Sequence, residues 1–129
     1  MHIHFIQHEH FEAPGAYLDW ANQKGHTVST SRVYQNEALP NSTNYDLLVV
    51  LGGPQDPATT TEQCPHFNAK AEIACIKQAI DANKKVIGVC LGAQLIGEAL
   101  GAKFAHSPNR EIGLFNLELT PEASNDPFF

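Results

Sequence analysis

The residues with the most chemical content lie in the stretch Val86-Ile-Gly-Val-Cys-Leu-Gly-Ala-Gln-Leu-Ile-Gly, where Cys90 has Gly88 and Gly92 two positions to either side. A buried strand that runs into a cysteine and then directly into a helix is the pattern of a nucleophile elbow. The turn is tight, so side chains at the flanking positions would collide, and glycine removes them. The amino end of the following helix points at the sulfur and favours the thiolate, the reactive form. The backbone N–H of Leu91, the next residue, can donate to an oxyanion. A second donor is required, and the loop Gly52-Gly53-Pro54 can supply it from backbone N–H groups that no side chain screens.

Other candidates are weaker. His2 and His4 fall on one face of a strand, a spacing that suits a metal but also a solvated strand end, which is the expectation here. His8 and His10 repeat the spacing just after that strand, on the edge where a base for Cys90 would have to be; they are read as loop residues. His66, beside Cys64 and Pro65, is a lesser candidate still. Cys64, Cys75 and Cys90 are an odd number without the paired spacing of a disulfide or zinc framework, which suits a reducing compartment. The pattern calls for no metal and no other cofactor.

The elements that must position these residues follow from periodicity. Ile3 to Gln7, Thr27 to Tyr34, Leu47 to Leu51 and Lys85 to Val89 read as strands; Ala16 to Lys24, Asn68 to Ala82 and Ala93 to Leu100 read as helices. Gly25 and Gly101 are placed to end the first and last of these helices. The alternation predicts an α/β fold, a mostly parallel flavodoxin-like or Rossmann-like sheet with helices on both faces and its site at the carboxyl ends of the strands. Beyond Gly101, Lys103 to His106 and Gly113 to Leu119 read as two further strands with no helix between them.

With 129 residues, 43% of them hydrophobic, the chain suits one domain. Eight basic against fourteen acidic side chains give a net charge of −6, with no basic run to neutralise a row of phosphates, so nucleic acid is not an expected partner. The start lacks the basic and apolar regions of a secretion signal, and no apolar run approaches membrane-spanning length. The expected location is the cytoplasm, with no membrane partner.

Gly88-Val-Cys-Leu-Gly-Ala-Gln, with Leu51-Gly-Gly-Pro upstream, resembles the class I glutamine amidotransferases. Gln7-His8-Glu9, Pro14-Gly15, Tyr45-Asp46 and Glu111-Ile112-Gly113 occur in an order similar to the amidotransferase-like proteins often labelled GMP synthase domain. The resemblance implies hydrolysis of the glutamine side-chain amide through a γ-glutamyl thioester on Cys90, with ammonia released to a synthetase partner or to water. It assigns the oxyanion to Gly53 and Leu91 and substrate holding to Gln94, and leaves Glu111 structural.

The family also uses a His and an acidic residue, close together and well downstream of the cysteine. After Cys90 the sequence has a single histidine, His106, without the matching His-x-Glu or His-x-Asp spacing. Residues 1–129 are therefore expected to form one partial domain, cut before the triad is complete, with turnover impaired. A non-catalytic binding or regulatory module of the same fold is the alternative, and DJ-1-like or γ-glutamyl hydrolase-type cysteine enzymes are another; Gln94 and the Gly-Gly-Pro loop favour the amidotransferase reading over the DJ-1-like one. A sheet that ends early exposes an edge and an apolar face, so a homo-oligomer is expected.

Overall fold

A computed structural model of the chain describes residues 1–41 and 44–123. Four strands, β1 (His2–Gln7), β2 (Thr27–Arg32), β3 (Leu47–Val50) and β4 (Lys85–Gly88), form an all-parallel sheet in the order β2-β1-β3-β4. Three helices, α1 (Ala16–Gln23), α2 (Ala69–Asp81) and α3 (Leu91–Ala99), follow β1, β3 and β4. The second strand is shorter than its β-branched run suggests, because Val33–Gln35 turn into a 3-10 helix that begins the return to β3 without a full crossover helix.

Side-chain alternation along β3 divides the core into two. Leu47, Val49 and Leu51 pack with Ile3, Phe5 and Ala21 on the α1 face, while Leu48 and Val50 pack with Ile6, Ile76, Leu91 and Leu95 on the face of α2 and α3. A strand covered on both faces has no polar side, which explains why β3 reads as an uninterrupted apolar run. Asn68 caps α2, its side-chain oxygen accepting from the Ala71 N–H at 3.1 Å. Gly25 (φ 66°) and Gly101 (φ 92°) follow α1 and α3 in the positive-φ conformation that ends a helix.

The two strands expected beyond Gly101 do not form. Among the described residues β4 pairs with β3 alone, and residues 103–106 and 113–119 carry no strand. An alternating apolar pattern becomes a strand only when a neighbour accepts its ladder and buries one face. Among the described residues none does so, and Ile112, Leu114, Phe115, Leu117 and Leu119 are exposed. No described helix is long and apolar enough to cross a membrane.

The chain passes from β1 outward to β2 and then returns to the other side of β1 to lay down β3. The loops leaving β1 and β3 therefore diverge next to one another, and β4 ends beside them. Open parallel sheets bind their ligands at such a switch point.

Candidate active site

The parallel ladder continues one residue past β4, the Val89 N–H donating to the Val50 carbonyl at 3.0 Å, and the chain then turns sharply into α3. Cys90 makes the turn with φ 51° and ψ −109°, a region that side chains other than glycine rarely enter. The Gly92 N–H bonds back to the Val89 carbonyl at 2.9 Å, and that of Gln94 to the Cys90 carbonyl at 3.2 Å, so the strain is held by the first turn of the helix. The neighbouring glycines are required by close approach. A Cβ on Gly92 would lie 2.1 Å from the Val50 carbonyl oxygen, and one on Gly88 would lie 2.5 Å from the Gly92 carbonyl carbon. The Cys90 residue is exposed, whereas Cys75 is buried in the core, where burial first and the Glu72 charge second push its thiol pKa up.

The loop after β3 backs onto this turn. A Cβ on Gly52 would sit 3.6 Å from Cys90 Cβ, and one on Gly53 would sit 3.1 Å from Leu91 Cδ2, so the two glycines bring bare backbone against the elbow. Leu91 is the first residue of α3, and its N–H has no acceptor one turn back. The structure thus brings Cys90, Leu91 and Gly53 together, the three residues that the sequence places in one site.

The loop is fixed from beneath by His8. Its Nδ1 donates to the Gly52 carbonyl at 3.0 Å and its Nε2 lies 2.7 Å from Glu72 Oε2. Both residues are buried, and the ring packs edge-on to Phe67. Gly52 C=O and Gly53 N–H belong to one trans peptide and point in opposite directions. Holding the carbonyl toward the interior therefore turns the Gly53 N–H away from His8, out of the core. Burial, the largest influence on His8, opposes its charged form. The hydrogen bond and charge of Glu72, with the carbonyls of Gly52 and Leu51, outweigh it together and raise the His8 pKa. With both nitrogens engaged, His8 is a brace for the loop rather than a free base.

The other sequence candidates are dispersed. Gln94 is exposed in the first turn of α3 and faces a groove that it shares with Glu98, Lys103 and Phe104. His106 is exposed, its Nε2 3.7 Å from Asp56 Oδ2, and Glu111 lies in the irregular exposed segment. His10 is exposed and packs edge-on to Phe11. His4 departs from the expectation of a solvated strand end. It is buried between the Ser29 and Ser31 hydroxyls, at 2.7 and 3.0 Å, and its pKa is lowered to about 4 by burial first and by His2 second. Among the described residues no histidine is hydrogen-bonded to Cys90.

Two contributors escaped the sequence reading. Glu72 has a helical-phase signal: Ala69, Glu72, Ile76 and Ala79 recur at the spacing of one helix face, so its carboxylate faces inward and demands a partner. Glu12 lies in the turn before α1, and a Cβ on Gly52 would stand 3.0 Å from its Oε2. Nothing in the sequence connects those two positions.

Residues 20–126 match the family model of the class I glutamine amidotransferases. The glutamine amidotransferase-like protein YfeJ of Salmonella typhimurium is 54% identical over 128 residues, 98% of this chain and 54% of that protein. The crystal structure of SMU.1228c superposes with a TM-score of 0.94 at 48% identity, covering 99% of this chain and 55% of the other. The glutamine-hydrolysing GMP synthase of Aliivibrio fischeri is 32% identical over 81 residues, 63% of this chain and 14% of that enzyme. The chain thus spans about half the length of YfeJ and SMU.1228c. A match over this much of the sequence establishes the relationship: the chain belongs to the class I glutamine amidotransferase family.

Proposed function

We propose that this chain supplies the nucleophile and the oxyanion hole of a glutaminase, attacking the side-chain amide of glutamine with the Cys90 thiolate. The observation that carries the reading is Cys90 at φ 51°, ψ −109°, held between Gly88 and Gly92 and facing the Gly52-Gly53 backbone. Attack forms a C–S bond and places negative charge on the amide oxygen, which the N–H groups of Leu91 and Gly53 receive. Collapse expels ammonia once the nitrogen takes up a proton, and water then cleaves the γ-glutamyl thioester. By its match to the family's elbow motif, Gln94, exposed in the first turn of α3, is proposed to help hold the glutamine.

Proton transfer in both halves of the reaction requires a general base and acid. His8 is committed to Gly52 and Glu72, and His106 lies against Asp56, so among the described residues no histidine is free to serve Cys90 in that role. The chain alone is therefore proposed to react at Cys90 while turning over glutamine poorly. The ammonia goes to a synthetase or to water, as the likeness to a glutamine-hydrolysing GMP synthase supports.

The test is incubation with a diazoketone analogue of glutamine, followed by peptide mapping, together with an ammonia assay against a Cys90→Ala control. Labelling confined to Cys90 with little ammonia is the expected result. Turnover by this chain well above the Cys90→Ala control would overturn the assignment of poor activity. Absence of labelling at Cys90 while Cys64 reacts would overturn the nucleophile.

A further inference from the structure

A second cluster of reactive side chains lies on the far side of the Gly53 loop. Cys64 and His66, in the segment leading to α2, meet Glu9, in the turn after β1, although Glu9 and His66 are 57 positions apart. His66 Nε2 is 3.4 Å from Cys64 Sγ and 3.0 Å from Glu9 Oε1. All three ligand atoms fall within 4.8 Å of one another, and the three residues are only partly exposed. The ring and the carboxylate face each other with 26% and 17% of their side chains exposed.

These separations suit one cation. Tetrahedral zinc with sulfur at about 2.3 Å and nitrogen or oxygen at about 2.0–2.1 Å sets its ligand atoms roughly 3.3–3.7 Å apart. A soft thiolate beside an imidazole and a carboxylate selects zinc over calcium or magnesium, which prefer oxygen alone. Gln55 adds an independent indication. Its Nε2 is directed at all three groups, 2.7 Å from Glu9 Oε1, 3.3 Å from Cys64 Sγ and 3.5 Å from His66 Nε2. Its buried Oε1 has no hydrogen-bond partner among the described residues. A half-turn of the amide exchanges two atoms of nearly equal size and aims a carbonyl oxygen at the same point, completing four ligands.

We infer that Cys64, His66 and Glu9, with Gln55 as the fourth donor, form a zinc site separate from Cys90. Binding releases the Cys64 thiol proton to solvent, uses the lone pair of His66 Nε2 and leaves the ring proton on Nδ1. With the amide so turned, Gln55 Nε2 takes the place that Oε1 now holds, 2.6 Å from where a Cβ on Gly53 would be, so the ion ties the turn after β1 and the segment before α2 to the underside of the oxyanion loop. Its role is to hold that loop, not to touch the reacting amide.

The experiment titrates the Cys90→Ala chain, which lacks the exposed thiol, with cobalt(II) and then with zinc. One equivalent of cobalt giving a thiolate charge-transfer band that zinc abolishes is the expected result. Adding Cys64→Ser removes the band, and His66→Ala weakens binding by at least about tenfold. The unsubstituted chain serves as a second readout: zinc slows alkylation of Cys64 and leaves Cys75 unchanged in mapped peptides. No saturable band, a band that survives Cys64→Ser, or equal alkylation of Cys64 with and without zinc overturns the site.

Discussion

The Nδ1 of His8 holds the carbonyl oxygen of Gly52 at 3.0 Å, and because that carbonyl shares a peptide plane with the Gly53 N–H, a buried imidazole sets the aim of a surface donor. The proposed oxyanion hole is thus oriented from the core outward, through a hydrogen bond that faces away from any substrate.

Removing the brace leaves the buried Glu72 carboxylate uncompensated. His8→Ala is expected to lower stability by about 3 kcal/mol, in the range found when one partner of a buried ion pair is deleted. Glu72→Gln, whose amide can still donate to His8 Nε2, should cost about 1 kcal/mol. Urea unfolding measures both. At Cys90, iodoacetamide needs no oxyanion hole, so its rate should be unchanged by Glu72→Gln, while thioester formation with glutamine falls if the Gly53 N–H is misdirected. Equal effects on the two reactions would make the pair a purely structural one.

The two buried histidines of the first strand region make stability depend on pH in opposite senses. The folded pKa of His8 is raised, so its contribution is complete below the ordinary histidine value of about 6.5 and is lost as pH rises through the folded value. The folded pKa of His4 is lowered to about 4, so as pH falls from about 6.5 to that value the unfolded chain gains a proton that the folded chain refuses, and stability falls. Urea midpoints should therefore decline on the acid side in a manner that His4→Gln suppresses, and on the alkaline side in a manner that His8→Gln suppresses. A midpoint whose pH dependence is the same in all three proteins would refute the assignment.

Strain at the elbow is open to a direct test. Cys90→Gly relieves the positive φ and should be more stable than Cys90→Ala by about 1–2 kcal/mol, since both lack the thiol and only one keeps a Cβ in a disfavoured region. Gly92→Ala, by contrast, drives a methyl into the Val50 carbonyl and should unfold the chain or destabilise it by more than about 3 kcal/mol. Thermal melts compare the three.

Much of this arrangement was legible in the residues. Cys90, Leu91 and Gly53 could be assigned to one site because a turn between a strand and a helix fixes its neighbours locally, and because parallel strands deliver their ends to one rim. What could not be read was the contact of His8 with Glu72, 64 positions apart, which depends on how α2 is rotated against the sheet. The convergence of Glu9, Cys64 and His66 was hidden for the same reason. The two missing strands mark the opposite limit: Phe115, Leu117 and Leu119 have the alternating pattern of a strand, but pattern alone does not provide the adjacent edge that would pair with it.

Those exposed leucines carry a prediction of their own. The 129-residue polypeptide should self-associate through residues 112–119 and the edge of β4 that no described residue pairs, with sedimentation coefficients that rise with concentration. Leu114→Glu combined with Leu117→Glu should return it to a monomer. A concentration-independent monomer before substitution would remove the prediction.

Because all four strands run the same way, the chain can be grafted at one rim without disturbing the other. The turns at 24–26 and 82–84 enter β2 and β4 from the end opposite Cys90, and both are largely exposed. A peptide tag or fluorescent reporter inserted there would leave the elbow intact, which makes that rim the natural place for a handle or an immobilising linker.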